Sequence, residues 1–167
     1  MKFIYLFLFA GLLFSCKKST KPEVAKKSFK NILILGNSIT RHAPAAHIGW
    51  HGNWGMAASS EEKDYVHLLM GKFKSLNAEA KVTYLNLSGY EVGYWAYDLS
   101  AIDTIVSVKQ DLIILRLAEN VNQLHVSDND FKKHYTKLIE YLKSRNPDAK
   151  VICTAGFWNN PPVEILI

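Results

Sequence analysis

Two uninterrupted aliphatic runs restrict the folds open to this chain. Residues 32–35 read Ile-Leu-Ile-Leu, and residues 112–115 read Leu-Ile-Ile-Leu. Neither run alternates with polar residues, which is typical of strands that are buried on both faces. Such strands belong to parallel sheets covered by helices, and these sheets carry their binding sites at the carboxyl ends of their strands. We therefore expect the chemistry of this chain where these strands end.

Strand and helix patterns alternate along the rest of the chain. After the first strand, the sequence predicts a helix after residue 59, a strand at 81–87, a helix within 92–108, a strand at 111–117, a helix from 127 to 146 and a strand at 149–154. This β-α-β-α-β-α-β order predicts an α/β fold, a parallel and right-handed three-layer α/β/α sandwich. At 167 residues, one domain with a substantial core is expected.

Two of the predicted helices have clear sequence signals. Ser59-Ser60-Glu61-Glu62 has the spacing of a capping box, in which Ser59 binds the backbone of Glu62 and the Glu62 side chain reaches back. The apolar face of this helix comprises Tyr65, Leu68, Leu69, Phe73 and Leu76. The helix from residue 127 buries a stripe of Phe131, Tyr135, Leu138, Ile139 and Leu142, and ends near Pro147.

The amino terminus has the pattern of a secretion signal. Lys2 precedes an apolar run at residues 3–14, which is too short for a membrane span, and residues 13–16 read Leu-Phe-Ser-Cys. This resembles a bacterial lipoprotein signal, which implies cleavage before Cys16, lipidation of its thiol and an extracytoplasmic protein anchored to a membrane. Lys17 weakly favours the outer membrane. An ordinary signal peptide with an incidental cysteine is the alternative.

The predicted signal divides the chain into three segments. We assign residues 1–15 to the signal peptide, 16–30 to a Lys-rich tether and 31–167 to the folded domain. The formal net charge is +5, but residues 1–30 contain seven Lys and one Glu, which leaves 13 basic and 14 acidic residues in the domain. A nearly neutral domain gives no indication of a nucleic-acid partner. Cys153, in a strand pattern, is expected to be a small buried residue.

A long segment without periodicity, residues 40–58, follows the first strand. It contains Trp50 and Trp54 among three glycines. Loops of this length in compact domains are usually lids or binding surfaces, so the indoles are candidates to contact a substrate such as a sugar. The alternative is a loop whose indoles fill its own small core. His42, His47 and His51 could collect a metal only if the loop folds around one, and we expect neither a metal nor a cofactor.

Polar residues follow three of the predicted strands. Gly36-Asn37-Ser38 follows the first strand and presents Ser38 as a candidate nucleophile, although such tripeptides are commonly plain turns. A nucleophile needs a base and donors for an oxyanion. Gly89 after the second strand can supply a backbone N–H group, and Asn120 after the third can supply a side-chain amide.

These residues resemble the blocks of the SGNH/GDSL hydrolase superfamily. Gly36-Asn37-Ser38-Ile39 corresponds to the Gly-Asp-Ser-Leu block, Gly89 to the second-block glycine with Gly93 as the runner-up, and Asn120 to the asparagine of the Gly-x-Asn-Asp block. The resemblance implies a flavodoxin-like sheet and hydrolysis of carboxylic esters without a metal. It also implies that Ser38 is the nucleophile, and that its own N–H, the N–H of Gly89 and the Asn120 side chain form the oxyanion hole.

The chain departs from this pattern in three places. Asn37 replaces the usual Asp, which keeps the size and the accepting oxygen, so the shape of the site is expected to survive. Ala118 replaces a Gly, which is expected to narrow the space at the third block. The last block, Asp-x-x-His, has no match, because no His follows His134. The usual general base is therefore missing. We expect residues 31–167 to be an SGNH hydrolase-like domain that is truncated at its C terminus and lacks the last elements of the sandwich.

Three other side chains near the strand ends are candidates for a role. His125, beyond the third strand, is the alternative base, although a His in such a loop is usually only solvated. Glu91 could orient a loop or bind substrate, and its place at a helix start offers a simpler explanation. Arg116, at the end of a buried strand, is expected to pair with Glu119 or Glu91.

The sequence thus favours two functions from different classes. The first is a membrane-tethered serine esterase that acts on a small-molecule or carbohydrate ester, including acyl or acetyl groups on sugars. The alternative is a catalytically inactive lipid-anchored binding protein on the same fold, because the base is missing. A nucleotide-binding domain ranks last, since no Gly-rich dinucleotide or phosphate motif follows the first strand. The sequence does not define the oligomeric state.

Overall fold

The computed structural model describes residues 28–167. The signal peptide, Cys16 and most of the predicted tether lie outside this part of the chain. Within it, no helix is long and apolar enough to cross a membrane. The lipid-anchor prediction therefore stays a prediction.

Four parallel strands form a single sheet. These are β1 (Asn31–Gly36), β2 (Lys81–Asn86), β3 (Leu112–Arg116) and β4 (Lys150–Thr154), arranged in the order β2-β1-β3-β4. The order reverses between β1 and β3, which is the strand order of a flavodoxin-like sheet up to the fourth strand. The predicted α/β fold is confirmed, and the central position of β1 and β3 explains their uninterrupted aliphatic runs.

Helices cover both faces of the sheet. The helices are α1 (Tyr65–Leu76), α2 (Ser88–Gly93), α3 (Asp103–Val106), α4 (Phe131–Arg145) and α5 (Pro161–Glu164). Side chains of β1 alternate between the faces: Ile32 and Ile34 pack against α1, whereas Leu33 and Leu35 pack in the larger core beneath α2 to α5. All four side chains are fully buried. The result is the expected α/β/α sandwich.

The helix boundaries differ from the predictions in instructive ways. The predicted capping box is wrong: Ser60 precedes a single 3-10 turn at Glu61–Lys63, and its hydroxyl donates to Glu62. The first helix instead begins after Asp64, whose carboxylate accepts from the backbone N–H of His67 at 2.7 Å. An aspartate is as good an N-cap as a serine, and Asp64 is also held by the loop before it.

The helices predicted within 92–108 and from 127 to 146 lie in the expected parts of the chain but have other lengths. Residues 92–108 contain no single helix, since α2 ends at Gly93 and a 3-10 turn at Leu99–Ile102 leads into the four-residue α3. The last long helix begins after Asp130, which caps the N–H of Lys133, rather than at Ser127. Its predicted stripe is buried or packed against the core.

One edge of the sheet exposes apolar side chains. β4 is an edge strand, and Ile152 on it is 46% exposed although its register partner on β3, Ile114, is 9% exposed. Ile152 lies on the α1 face, and no helix in residues 28–167 packs over it. Phe157 and Trp158 in the following loop are also exposed. Cys153, pointing to the other face, packs against the larger core and is partly rather than fully buried.

Candidate active site at the strand ends

The strand register brings three polar segments to one edge of the sheet. Gly36 pairs with Asn86, and Leu35 pairs with Leu115. Ser38, Gly89 and Asn120 therefore follow the carboxyl ends of three adjacent strands, β1, β2 and β3. This edge includes the point at which the strand order reverses, where open α/β sheets bind their ligands.

The turn after β1 is held by Asn37. The backbone N–H of Ile39 donates to Asn37 Oδ1 at 3.0 Å, and the N–H of Thr40 donates to the Asn37 carbonyl at 2.9 Å. A side chain at Gly36 would overlap with that of Thr40, so glycine permits this close approach. Asn37 thus organises the turn through its oxygen, which was the expected consequence of replacing Asp by Asn.

The amide group of Asn37 bridges two carboxylates. It donates to Glu91 Oε1 at 3.1 Å and to Glu119 Oε2 at 2.6 Å. Asn37 is fully buried, and its oxygen and both N–H groups have partners. An aspartate at this position would place a third acceptor between two acceptors. The departure from Gly-Asp-Ser therefore has a physical reason in this chain.

Glu91 also holds Asn120. Its second oxygen, Oε2, accepts from the Asn120 side-chain amide at 2.6 Å. Glu91 is fully buried, and its burial raises the pKa of its carboxyl, opposed by the hydrogen bonds from Asn120 and Asn37 and assisted by the charge of Glu119. One carboxylate thus connects the turn of Ser38, the helix that contains Gly89 and the loop that contains Asn120.

Glu119 connects this network to the partly buried guanidinium of Arg116. Its Oε1 lies 2.6 Å from Arg116 Nη2 and also accepts from the backbone N–H of Phe157 at 2.6 Å. The Arg116 guanidinium lies 5.3 Å from the centre of the Tyr65 ring, a cation–π distance. Of the two partners expected for Arg116, the structure shows Glu119.

The three candidate catalytic groups differ in their surroundings. Ser38 is half-buried and Asn120 is exposed. The hydrogen bonds within residues 28–167 include none from the Ser38 hydroxyl. Gly89 is the second residue of α2, where a backbone N–H group has no acceptor within the helix. Gly93, the runner-up, is the last residue of the same helix, farther from the strand end.

The loop at residues 40–58 packs on itself and on the turn of Ser38. Trp50 and Trp54 form an edge-to-face pair with ring centres 5.3 Å apart, and their indole N–H groups donate to the carbonyls of His42 and Ala58. The N–H of Met56 donates to the Ser38 carbonyl at 3.0 Å. The indoles therefore fill a core within the loop while both remain half-exposed. Their contact with a substrate stays a prediction.

In the part of the chain that the structure describes, the histidines make contacts other than a hydrogen bond to the Ser38 hydroxyl. His125 is half-exposed, and its Nδ1 lies 3.9 Å from the exposed carboxylate of Asp128. His42 Nδ1 lies 2.6 Å from the carbonyl of Ala43. Among residues 28–167, no group of three or more His, Cys, Asp or Glu side chains is arranged to hold a metal, and the structure does not bring His42, His47 and His51 together as such a group.

A cavity of about 200 Å³ lies next to the turn of Ser38. Ile39, Tyr65 and Phe157 form part of its wall, and Arg116 reaches it from the sheet edge. Ser38 does not line it. Ile39 follows Ser38 directly in the chain, so the cavity borders the turn after β1 on the α1 side.

Sequence reasoning missed the central part played by two glutamates. Glu91 had been explained by its position at a helix start, and Glu119 only as a partner for Arg116. The available signal was a glutamate two residues after Gly89 together with another one directly before Asn120. Both strand-end segments therefore carry an acceptor, and Asn37 is the donor between them.

Comparison with known proteins finds no matching family model, no matching curated protein and no matching solved structure. The SGNH/GDSL resemblance therefore rests on the sequence motifs alone and stays a prediction.

Proposed function

We propose that this protein is a serine hydrolase of the SGNH/GDSL type that acts on carboxylic esters. The observation that carries the proposal is the hydrogen-bonded chain Asn37–Glu91–Asn120. It ties the candidate nucleophile turn to the candidate oxyanion donors across three adjacent strand ends. A plain turn after β1 would not need buried amide–carboxylate bonds to two other strand-end segments.

The chemistry proposed for this edge is acyl transfer in two steps. The Ser38 hydroxyl oxygen attacks the ester carbonyl carbon, and the N–H groups of Ser38 and Gly89 with the Asn120 amide bind the developing oxyanion. The ester C–O bond then breaks, and the alcohol leaves with the proton from Ser38. Water releases the carboxylic acid in the second step and restores the Ser38 hydroxyl.

The proposed substrates are small-molecule or carbohydrate esters, including acetyl groups on sugars. Two features support this class, the secretion signal predicted from the sequence and the half-exposed Trp50 and Trp54 in the loop that contacts Ser38. Aromatic rings of this kind can stack on a sugar ring. The proposal includes a lipid anchor at Cys16. A Cys16→Ala variant is expected to lose both incorporated palmitate and membrane association when expressed in a bacterial host.

The experiment for the hydrolase measures two properties of the purified protein. Hydrolysis of a short-chain nitrophenyl ester is followed together with labelling by a fluorophosphonate, which reacts with activated serines. Ser38→Ala is expected to abolish both signals. Ser88→Ala, which removes another serine at the same sheet edge, is the matched control and should retain both. Equal activity in the wild type and Ser38→Ala would exclude Ser38 as the nucleophile.

A second candidate function is a lipid-anchored binding protein that does not turn over its ligand. The specific observation in its favour is that, within residues 28–167, the Ser38 hydroxyl has no hydrogen-bonded base. A serine without a base is a weak nucleophile, and loss of triad members in serine proteases leaves only slow residual catalysis. This function predicts that neither the ester nor the fluorophosphonate reacts, while acetylated sugars still shift amide signals near Ser38 in NMR spectra.

A further inference from the structure

The buried carboxylate of Glu91 lies at the centre of the strand-end edge. Its Oε1 accepts from Asn37 at 3.1 Å and its Oε2 accepts from Asn120 at 2.6 Å. The donors are 54 and 29 residues away in sequence. Both oxygens accept from amide groups, and the hydrogen bonds within residues 28–167 include none between Glu91 and the Ser38 hydroxyl, so this geometry does not assign Glu91 as a base.

An ionised carboxylate only accepts hydrogen bonds, whereas a side-chain amide has one accepting and one donating end. Glu91 therefore fixes which end of each asparagine faces it. The Nδ2 group of Asn37 must point to Glu91, and this leaves Asn37 Oδ1 for the N–H of Ile39 in the turn after Ser38. The Nδ2 group of Asn120 must likewise point to Glu91.

The orientation of Asn120 has a direct consequence for the proposed oxyanion hole. Its amide nitrogen carries two hydrogens, and Glu91 uses one. Since Asn120 is exposed, the second hydrogen remains available at the sheet edge. If the amide were turned around, Asn120 Oδ1 would lie near the position of Nδ2, and an oxyanion there would face an acceptor instead of a donor.

We infer that Glu91 is a positioning residue, which in its ionised form orients the Asn120 amide as an oxyanion donor and the Asn37 amide as the organiser of the Ser38 turn. The inference rests on the proposed function for its catalytic consequence. The charged group that acts on Glu91 is the Glu119 carboxylate, which is paired with Arg116; the Tyr135 hydroxyl on α4 is neutral, and burial raises its pKa.

The test compares Glu91→Gln with the wild type. Gln has nearly the same shape but presents one accepting oxygen and one amino group to two donors, so one of the two asparagine amides must lose its bond or turn around. The expected result is a fall in kcat of about 10-fold or more with little change in KM, because an oxyanion donor acts in the transition state. Glu79→Gln, an exposed carboxylate on a turn remote from the site, is the matched control.

Two further readouts separate positioning from a general loss of structure. The pH profile of the wild type should fall at low pH as Glu91 gains a proton, and this limb should be absent from Glu91→Gln. In ¹⁵N-resolved NMR spectra, the side-chain NH₂ signals of Asn37 and Asn120 should shift in Glu91→Gln but not in Glu79→Gln. A folded Glu91→Gln protein with unchanged Asn120 signals would overturn the inference.

The NMR readout is independent of turnover, so the two proposals can fail separately. If Ser38→Ala has no effect on hydrolysis but the Asn120 signals still respond to Glu91→Gln, the proposed hydrolase is wrong while the orientation by Glu91 holds. If Ser38→Ala abolishes hydrolysis and Glu91→Gln retains full kcat, the hydrolase stands and Glu91 is not a positioning residue. Glu91→Asp, which keeps the charge on a shorter stem, should recover part of the lost kcat.

Discussion

The amide nitrogen of Asn37 lies 2.6 Å from Glu119 Oε2, and 82 residues separate the two in sequence. This bond joins the turn after β1 to the loop after β3 at the edge of the sheet where the parallel strands end. It requires a donor at position 37, because Glu119 and Glu91 are both acceptors. The Asn that departs from the familiar Gly-Asp-Ser block is thus matched to the two glutamates of this chain.

The first prediction is that Asn37→Asp strongly destabilises the fold at neutral pH. The new carboxylate would lose two buried hydrogen bonds and face Glu91 and Glu119, with only Arg116 among the positively charged partners of this network. Because the new charge is buried and unpaired, we expect the free energy of unfolding to fall by about 2–4 kcal/mol. Urea denaturation followed by circular dichroism measures it.

The pH dependence of this destabilisation tests whether crowded carboxylates cause it. Lowering the pH protonates one of the crowded carboxyls, so the difference between Asn37→Asp and the wild type should shrink toward pH 5. Asn159→Asp, which adds the same charge at an exposed position, is the control and should change stability little. Equal unfolding free energies for the two variants at pH 7 would contradict the proposed crowding.

The second prediction concerns the pH dependence of stability. Burial raises the pKa of Glu91 above its ordinary value of 4.5, so the folded protein binds this proton more tightly than the unfolded chain. The contribution of Glu91 to stability is therefore largest at low pH and is lost as the pH rises from 4.5 through the raised pKa. Each unit of the shift corresponds to about 1.4 kcal/mol.

The measurement is a series of urea titrations between pH 4 and pH 7.5 on the wild type and Glu91→Gln. The mismatched hydrogen bond lowers the free energy of unfolding of Glu91→Gln by the same amount at every pH. Only the change of the wild-type-minus-variant difference with pH therefore reports the titration of Glu91. We expect the free energy of unfolding of the wild type, relative to the variant, to decrease with rising pH in this window. A difference that stays constant or increases would show that the pKa of Glu91 is not raised.

The third prediction tests Gly89 as a source of an oxyanion N–H group. An added Cβ at Gly89 would lie 3.7 Å from the nearest atom, on Tyr97, which is ordinary contact. Gly89→Ala keeps the backbone N–H and is therefore expected to fold and retain ester hydrolysis. Gly89→Pro removes the N–H in the first turn of α2, where proline is better tolerated than later in a helix, and should lower kcat about 100-fold or more.

This pair of variants needs a fold control, because a proline disfavours the helical conformation of the residue before it, Ser88. Circular dichroism at the assay temperature supplies that control. Gly93→Ala, with open space around the added Cβ, keeps the backbone N–H and is a further control that should fold and retain ester hydrolysis. Full activity in a folded Gly89→Pro protein would remove Gly89 from the oxyanion hole.

The sequence was sufficient for the parts of the fold that depend on local pattern. The unbroken runs of β1 and β3 indicated central strands, and the β-α alternation indicated a parallel sheet. It also brought Ser38, Gly89 and Asn120 to one edge, because all parallel strands end on the same side. Helix starts were less predictable, since Ser59 and Asp64 are both good caps and only packing of the loop selects Asp64.

The hydrogen-bond network of the site could not be predicted from local sequence pattern. Whether Glu91 faces solvent or Asn37 depends on the rotation of α2 and on contacts 54 residues away, neither of which has a periodic signal. The same limit applies to the partner of Arg116, for which Glu119 and Glu91 were equally compatible with the sequence. Long-range polar contacts between loops become visible only when the sheet register places the loops side by side.

The last prediction concerns the exposed edge of the sheet. Ile152 on β4 is 46% exposed, whereas Ile113 on the adjacent β3 is fully buried. Ile152→Thr should therefore change the free energy of unfolding by about 1 kcal/mol or less. Ile113→Thr should cost about 2–4 kcal/mol, because it removes buried methyl contacts and buries a hydroxyl group. Thermal and urea unfolding of both variants measure this contrast.

The same substitution should also affect self-association. An exposed aliphatic residue on an unpaired edge strand favours contact between copies, and threonine reduces the apolar area without disturbing the β-branched shape. Sedimentation velocity on residues 17–167 is expected to show less association for Ile152→Thr than for the wild type at equal concentration. If Ile152→Thr instead destabilises the protein as much as Ile113→Thr, then Ile152 is covered in solution by a part of the chain outside residues 28–167 or by a second copy.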